Sequence, residues 1–315
     1  LLKSATYTKI QSGKPMIAPV FTSLRPKQWT KNLILFAALL FSEKGLLFSG
    51  QAWLFTIAGF FTFCGLSGSV YLLNDLADLE KDRLHPIKCQ RPIPSGELSV
   101  GEAKGALIII LIISLLAAWK LSPLFFSLSL AYFMLNLAYS FKLKNLVILD
   151  VMCIAIGFVL RATAGVGALK SLEPGIYISH WLLLSTLMLA MFLGLAKRRQ
   201  EIANYHDDAV KHRKILAQYS LSYIDQMTSI LAATAIVTYT FYTVSPETIA
   251  KFGSDKMIYT VPMVIYGILR YLYLIHIQEL GENPSEVVLS DRPLQLCVVI
   301  WAAVGVLVIH SARFL

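Results

Sequence analysis

Long apolar runs separated by short polar stretches follow one another along almost the whole chain. Nine of these runs are long enough, or nearly so, to cross a hydrocarbon core, which takes about 20 residues of helix. Only Leu121 and Ser122 separate the third run from the fourth, which predicts a tight hairpin there. We predict nine transmembrane helices, at 32–48, 52–74, 103–120, 123–141, 146–168, 177–196, 226–244, 257–277 and 294–312.

The composition agrees with a membrane protein. Hydrophobic residues make up 56% of the 315 residues and charged residues only 15%, whereas about a quarter of a soluble domain is charged. The predicted fold class is therefore all-α, a polytopic membrane protein. The net charge of +9 fits basic loops that face anionic lipid headgroups, so we expect a membrane and no nucleic acid as partner. The four cysteines form no CxxC pair, and we expect neither a disulfide nor a zinc site.

The distribution of Lys and Arg predicts the orientation. If the N-terminus lies inside, the N-terminal arm and the loops after spans two, four, six and eight carry 20 of the 28 basic residues. Basic loops face the cytoplasm in most membrane proteins. We therefore predict a multi-pass protein of the cell (inner) membrane with a cytoplasmic N-terminus and active site. The predicted organisation is a cytoplasmic arm at 1–31 and a single nine-helix transmembrane catalytic domain at 32–315; a homo-oligomer is left open.

A dense acidic motif, NDLADLEKD at 74–82, follows the second span. If the helix continues, Asn74, Asp78 and Asp82 are spaced i, i+4 and i+8 and share one face, which Asp75 borders. Oxygen ligands in this arrangement suit Mg²⁺, which takes one or two carboxylates and completes its shell with water and substrate phosphates. We predict these four residues as metal ligands and a diphosphate as the partner. The alternative is a solvated helix end with scattered charges.

Basic residues lie next to this motif and after later spans. Arg83, Lys88 and Arg91 follow the acids and could neutralise phosphate oxygens that the metal does not reach, although a basic loop can also be plain membrane-surface charge. Further clusters come after span four and after span six. They would allow one anion to approach another.

Two charged residues belong to the fifth span. Arg161 lies near its middle, where a charge is costly and usually faces a cavity or a partner. Asp150 lies eleven residues earlier on the same helix face, about 16 Å away along the axis. Asp150 is either a helix-start carboxylate favoured by the dipole or a ligand to a ribose hydroxyl or a second metal.

The acidic motif resembles the first signature of the UbiA superfamily of intramembrane transferases, NDxxDxxxD, here Asn74 to Asp82. The resemblance continues through Asp82-Arg83-Leu84-His85-Pro86 and covers nearly the whole chain. It implies a helical bundle around a central cavity, with a Mg²⁺-bound diphosphate at the cytoplasmic mouth. Most members transfer a prenyl group and carry a second acidic motif after span six. Here that stretch reads Ala196-Lys197-Arg198-Arg199-Gln200-Glu201, with a single carboxylate.

This departure resembles one branch of the superfamily, the decaprenyl-phosphate phosphoribosyltransferases. Similar stretches are Leu24 to Asn32, Tyr139 to Lys144, Gly281 to Pro284 and Leu289 to Pro293. The resemblance implies transfer of the 5-phosphoribosyl group from phosphoribosyl pyrophosphate to a membrane polyprenyl (decaprenyl) phosphate, with Mg²⁺ as cofactor and release of diphosphate. The alternative is a prenyltransferase acting on an aromatic or small acceptor. A transporter or scaffold is disfavoured because the polar residues cluster on one side of the membrane.

The candidate residues follow from these patterns and resemblances together. The candidate catalytic residues are Asp78, Asp82 and Arg161. The candidate substrate-binding residues are Lys27, Lys31, Asp75, Arg83, Lys88, Arg91, Tyr139, Lys142, Lys144, Asp150, Lys197, Arg198 and Glu201.

Overall fold

The computed structural model describes residues 17–42, 45–205, 214–278 and 284–310, and every regular element in this part of the chain is a helix. The α-helices are α1 (Ile17–Ser23), α2 (Ala37–Leu40), α3 (Gly50–Ala77), α4 (Leu79–Leu84), α5 (Val100–Leu121), α6 (Pro123–Phe141), α7 (Leu149–Leu169), α8 (His180–Tyr205), α9 (Leu221–Val244), α10 (Pro246–Phe252), α11 (Val261–Ile277), α12 (Pro284–Ser290) and α13 (Arg292–His310). Shorter 3₁₀ helices are Pro26–Phe36, Leu46–Phe48, Lys88–Gln90, Leu143–Asn145, Lys214–Gln218 and Lys256–Thr260.

Eight helices of the described residues are long and apolar enough to cross a membrane. They are α3, α5, α6, α7, α8, α9, α11 with the 3₁₀ turn before it, and α13. The predicted all-helical membrane fold is thus confirmed, and eight of the nine predicted spans correspond to these helices. Residues 1–16 of the predicted arm, Gly281 to Asn283 and the end of the last predicted span lie outside the described residues.

The first predicted span, 32–48, is not one continuous helix. It divides between the 3₁₀ helix Pro26–Phe36, the four-residue α2 and the 3₁₀ turn Leu46–Phe48, so the count of nine is approximate. Polar Ser42 and Gly45, which has a positive φ of 71°, interrupt the helix after α2. The 3₁₀ helix packs directly on α7, because Gly165 has no side chain and lets the backbone of Leu35 approach.

Polar side chains fix the predicted hairpin between α5 and α6. Ser122 is the single residue between these helices, and its hydroxyl accepts a hydrogen bond from the N–H of Phe125 as the N-cap of α6. The same hydroxyl donates to the carbonyl of Gly167 at 2.6 Å, which attaches the hairpin to α7. Proline at the first position of α6 is favourable there, since that N–H would have no helical partner.

The helices α3 and α7 form the centre of the structure. They are the most buried of the eight candidate spans, whereas α5 is the least buried and presents its apolar side chains outward, as expected of a lipid-facing helix. Phe63 of α3 and Phe125 of α6 pack together with Ala164 of α7. A second core cluster joins Phe192 of α8 to Tyr271 of α11. The C-terminal end of α3 and the N-terminal end of α7 carry the charged residues of the candidate site.

Candidate active site

The acidic motif lies where α3 leaves the apolar core. The helix ends at Ala77 by its dihedral angles, yet the N–H of Asp78 still donates to the carbonyl of Asn74 at 2.9 Å, and the N–H of Asp82 donates to Asp78 at 2.8 Å. The helical hydrogen bonds therefore run from α3 into α4 with little interruption. The sequence analysis placed Asn74, Asp78 and Asp82 on one face on the condition that the helix continues, and this condition is met.

Two carboxylates converge on one point. Nη1 of Arg91 donates to Oδ1 of Asp75 at 3.0 Å and to Oδ2 of Asp82 at 2.9 Å. Nη2 of Arg25 donates to the same oxygen of Asp75 at 2.5 Å. Asp75 and Asp82 are both buried, whereas the two arginines are partly exposed. A cation thus already lies between the two carboxylates.

This arrangement fits a divalent ion completed by its substrate. A point about 3 Å from two carboxylates offers the one or two protein ligands that Mg²⁺ usually takes beside substrate phosphates. Among the described residues, no group of three or more His, Cys, Asp or Glu gathers around one point. The predicted set of four ligands is therefore not assembled at one place. The residues present fit an ion that a bound diphosphate would complete.

The other half of the motif faces a different neighbour. Asn74 accepts a hydrogen bond from Ser140 at the end of α6, and Asp78 accepts one from Nζ of Lys144 at 2.6 Å. The reason is helical rotation. Residues spaced by seven drift only about 20° around the axis, as Asp75 and Asp82 do, whereas residues spaced by eight drift about 80°. The four side chains lie at one helix end but divide between two sets of partners, and their grouping as one set of metal ligands stays a prediction.

The basic loop after α4 is held close to the acids by its apolar residues. Pro92, Ile93 and Pro94 are buried, and the carbonyl of Pro92 accepts a hydrogen bond from Leu98 at 2.8 Å. This anchor directs Arg91 to its two carboxylates. Nζ of Lys88 lies 3.7 Å from Asp82. The structure turns Arg83 away from the group, because its guanidinium pairs with exposed Glu80.

Arg161 is buried in the middle of α7 and is held by neutral groups. Its Nε donates to Oδ1 of Asn32 at 3.0 Å, and its Nη2 donates to the hydroxyl of Tyr132 at 2.6 Å. The guanidinium also lies over the rings of Tyr132 and Phe158, 4.7 and 5.2 Å from their centroids. No carboxylate among the described residues lies within ion-pair distance of it. Arg161 is therefore buried among neutral partners, and its catalytic role in a cavity stays a prediction.

Lys31 precedes the first predicted span and is half-buried beside other cations. It forms neither a hydrogen bond nor an ion pair with any of the described residues. Burial, together with the nearby charges of Lys197, Arg161 and Arg25, lowers the pKa of the Lys31 ammonium to about 8. A cation in such surroundings is stabilised by an anionic ligand. The prediction of Lys31 as a substrate-binding residue therefore stays compatible with its position.

Asp150 and Arg198 form a buried ion pair. Nε of Arg198 donates to Oδ2 of Asp150 at 2.9 Å, and Nη1 of Arg198 donates to Glu201 at 2.6 Å. Asp150 is fully buried in the first turn of α7, where the helix dipole favours a carboxylate, as the helix-start alternative predicted. Its role as a ligand for a ribose hydroxyl or a second metal stays a prediction. Its charge is used by Arg198. In the stretch that replaces the second acidic motif, Arg198 thus balances the charges of Asp150 and Glu201.

Tyr219 contacts the carboxylate of Asp150 in this ion pair. Its hydroxyl donates to Oδ1 of Asp150 at 2.9 Å and accepts a hydrogen bond from the N–H of Ile148 at 2.7 Å. Ile148 has a φ of 69°, which is rare for a β-branched residue and costs free energy. Burial raises the pKa of Tyr219 to about 12, so its hydroxyl stays protonated and can donate.

The remaining predicted residues lie around these groups. Lys27 and Lys142 are exposed and form no ion pair within the described residues. Lys197 lies 3.9 Å from Glu201, and Tyr139 lies near Arg198. Four contact residues are absent from the predicted set. Arg25 and Asn32 lie in the stretch Leu24 to Asn32 that carries part of the resemblance, whereas Tyr132 and Tyr219 carry no signal in a single sequence.

Comparison with known proteins adds three findings. Residues 32–287 match the model of the UbiA prenyltransferase family. The chain is 30% identical to the decaprenyl-phosphate phosphoribosyltransferase of Corynebacterium glutamicum, over 96% of this chain and 90% of that protein. It is also 30% identical to the enzyme of that name from Mycolicibacterium smegmatis, over 91% of each chain.

A solved structure shares the fold. It is a UbiA homolog from Archaeoglobus fulgidus bound to DMAPP and Mg²⁺, which aligns with a TM-score of 0.69 and 22% identity over 92% of this chain and 99% of that one. At this identity the likeness shows the arrangement of the helices alone.

Proposed function

This chain belongs to the UbiA prenyltransferase family, and from that premise we propose that it is a membrane transferase moving the 5-phosphoribosyl group of phosphoribosyl pyrophosphate. The acceptor is a polyprenyl phosphate, and the leaving group is diphosphate. Relatives that carry the name decaprenyl-phosphate phosphoribosyltransferase support this reaction, since they align with nine-tenths of the chain or more. The reaction takes place at the cytoplasmic surface of the cell membrane, where the basic loops lie.

The proposal depends on an excess of positive charge at the site. The described carboxylates near the site are all paired with cations, and further cations have no carboxylate partner. Arg161 and Lys31 remain without a carboxylate partner in this part of the structure. A prenyl transfer would bring one diphosphate, whose charge Mg²⁺ and Arg91 already offset. The proposed reaction brings three phosphate-bearing groups: the diphosphate, the 5-phosphate and the phosphate of the acceptor. Additional cations suit this larger negative charge.

The chain's own groups have definable tasks in this reaction. The bond from C1 of the ribose to a diphosphate oxygen breaks, and its electron pair leaves with the diphosphate. A new bond forms between C1 and an oxygen of the acceptor phosphate, which is already ionised near neutral pH and needs no general base. Arg25, Lys88 and Arg91 then turn from the carboxylates to the phosphate oxygens that gain charge.

Mg²⁺ would be held by Asp75 and Asp82. The chemistry it supplies when bound is charge neutralisation on the departing diphosphate. Asp78, on the other side of the same helix end, places Lys144 beside the site. This division of the acidic motif gives two of its carboxylates to the metal and the third to a cation.

Prenyl transfer remains the second candidate. The aligned Archaeoglobus fulgidus structures were solved with GPP or DMAPP and Mg²⁺, and a converging carboxylate pair would suit such a donor equally well. The stretch after span six argues against it, because Arg198 lies between two carboxylates there and leaves little acidic character for a second metal. The choice of donor distinguishes the two reactions directly.

A reconstituted assay tests the proposal. Purified protein in lipid nanodiscs is incubated with Mg²⁺, phosphoribosyl pyrophosphate and polyprenyl phosphates of several lengths, and the lipids are examined by mass spectrometry. We expect a phosphoribosylated lipid from the wild type and from Glu80→Gln, whose carboxylate is exposed, but not from Asp82→Asn. A product formed from prenyl diphosphate without the ribosyl donor would instead establish the second candidate.

The proposed orientation has its own test in a native thiol. Cys89 is partly exposed in the basic loop, whereas Cys64, Cys153 and Cys297 are buried. A membrane-impermeant maleimide should label Cys89 in inverted vesicles and spare it in intact spheroplasts. Labelling in spheroplasts would place the loop, and the active site with it, on the outer face.

A further inference from the structure

The strongest feature that the reaction scheme leaves unused is the free edge of the Arg161 guanidinium. Asn32 and Tyr132 hold its Nε and Nη2, but Nη1 donates to no group among the described residues. A buried charge without a counter-ion is costly, and the two neutral partners only partly offset that cost. The guanidinium is therefore oriented on two sides and open on the third.

Gly157 provides space at this open edge. It lies four residues before Arg161 on α7, which is one turn nearer the cytoplasmic end. A Cβ at Gly157 would lie 3.8 Å from Nη1 of Arg161 and 3.6 Å from the ring of Tyr132, and apart from the neighbouring residues and backbone of α7 no other described atom would come within 4 Å. A glycine thus leaves room for a ligand atom directly beside the free nitrogen.

The free Nη1 of Arg161 lies deeper in the membrane than the proposed metal site. Asn32, which accepts from Arg161, donates to the hydroxyl of Ser67 on α3 at 3.3 Å. Ser67 comes eight residues before Asp75, a rise of about 12 Å along the helix. Arg161 is therefore about 12 Å nearer the centre of the membrane than the carboxylates. Lys31 lies between the two levels, because the 3₁₀ helix Pro26–Phe36 carries the chain from Arg25, which pairs with Asp75, to Asn32, which contacts Arg161.

The depth distinguishes between the two substrates of the proposed reaction. The donor is a water-soluble anion that enters from the cytoplasm, and its diphosphate belongs at Asp75 and Asp82. The acceptor carries its phosphate at the end of a hydrocarbon tail that remains in the membrane, so this phosphate approaches from the membrane side. This direction of approach places the acceptor phosphate deeper in the membrane than the donor.

We propose that Arg161 and Lys31 form the binding subsite for the terminal phosphate of the lipid acceptor, with Gly157 and the Tyr132 ring as its walls. The inference rests on the proposed function. Arg161 grips the acceptor phosphate with its free Nη1, and Lys31 offsets the repulsion between this phosphate and the donor diphosphate. The acceptor tail then extends from the subsite toward the lipid.

Steady-state kinetics with both substrates varied test this assignment. Gly157→Ala keeps Arg161 in place and fills the space beside it, so we expect at least a tenfold rise in KM for polyprenyl phosphate with the KM for phosphoribosyl pyrophosphate unchanged. Arg161→Lys should show the same pattern. The matched control is Gly105→Ala on α5, where an added Cβ meets nothing within 4 Å, and both KM values should stay at the wild-type level.

A binding measurement separates this inference from the proposed function. Farnesyl phosphate should bind the wild-type protein in nanodiscs, bind Gly157→Ala at least tenfold more weakly, and outcompete inorganic phosphate. A rise in the donor KM alone, with acceptor KM and farnesyl phosphate binding unchanged, would overturn the subsite and leave the phosphoribosyl transfer intact. Failure of the wild type to form any phosphoribosylated lipid would instead remove the proposed function.

Discussion

The C-terminal ends of α3 and α8 both place carboxylates beside arginines, but they differ in how accessible the arginines are. At the end of α3, the side chains of Arg25 and Arg91 are 27% and 31% exposed and come from loops. At the end of α8, the side chain of Arg198 is 3% exposed and lies on the helix itself, between Asp150 and Glu201. Both ends thus contain arginine–carboxylate pairs, but the arginines are partly exposed at the end of α3 and the arginine is buried at the end of α8.

The difference shows how one end can be reactive and the other structural. A partly exposed cation on a loop can leave its carboxylate when a metal and a phosphate arrive, because water and the ligand compensate it. Breaking the buried pair would leave an uncompensated charge, at a cost of about 3–5 kcal/mol. We therefore expect one metal-binding end, at α3, and a rigid supporting end, at α8. The following predictions test this contrast, in order of decreasing effect.

The largest effect is expected from Asp82→Asn at the α3 end. Loss of one of two metal ligands should lower kcat/KM at least about 1000-fold, equivalent to about 4 kcal/mol of transition-state stabilisation. The thermal unfolding midpoint should change little, since the partners of Asp82 are partly exposed. Kinetics at several Mg²⁺ concentrations and an unfolding curve measure both quantities. A lower unfolding midpoint with an unchanged kcat/KM would show that Asp82 has a structural role and not a metal-binding one.

Asp150→Asn at the α8 end should have the opposite profile. Removing the charge leaves Arg198 buried with Glu201 alone, and we expect a loss of about 3 kcal/mol in the free energy of unfolding. The double variant Asp150→Asn/Arg198→Met also removes the buried cation and should recover part of that loss. Denaturant unfolding in detergent compares the single and double variants. An Asp150→Asn protein as stable as the wild type would show that the pair contributes nothing.

A smaller effect is expected from Tyr219→Phe. The change removes the hydroxyl that joins Asp150 to the strained Ile148, which leaves two buried groups without that partner and costs about 1–3 kcal/mol. Tyr223→Phe is the matched control, since its ring stacks on Tyr219 at 6.2 Å but its hydroxyl forms no hydrogen bond within the described residues. Equal stability of the two variants would argue against a special role for Tyr219.

The smallest effect concerns pH and Lys31. Its folded-state pKa is lowered to about 8 from 10.5, so the ammonium loses its charge as pH rises through about 8 rather than above pH 10. An anion binds the charged form, and we expect the KM for polyprenyl phosphate to rise several-fold between pH 7 and pH 9. Lys31→Arg stays charged throughout this range and should flatten the profile.

The same lowered pKa has a consequence for stability. Because the folded-state value lies below the unfolded one, burying the charged ammonium costs stability below pH 8, and this cost disappears between about pH 8 and 10.5. The cations that face Lys31 are Lys197, Arg161 and Arg25. A KM profile that is the same in the wild type and in Lys31→Arg would exclude Lys31 from acceptor binding.

Much of this architecture could be predicted because a helix in a membrane requires a continuous apolar run. Eight spans, the α5–α6 hairpin and the acidic helix end follow from that rule. The interruption at Ser42 and Gly45 was missed, since the run from 32 to 48 is apolar on average. The partners of the charged residues were missed for a different reason. Asp75 meets Arg25 across 50 residues and Asp150 meets Arg198 across 48. The packing of the 3₁₀ helix Pro26–Phe36 on α3 brings the first pair together, and the packing of α7 on α8 brings the second.

The most direct test of the central claim is binding of Mn²⁺, as a spectroscopic substitute for Mg²⁺, followed by electron paramagnetic resonance. In the wild type we predict one tightly bound ion that requires phosphoribosyl pyrophosphate, because the carboxylate pair is only part of its coordination shell. Asp75→Asn and Asp82→Asn should each lose this ion, whereas Glu201→Gln at the α8 end should retain it. Binding that needs no donor, or that survives both substitutions at the α3 end, would contradict the account.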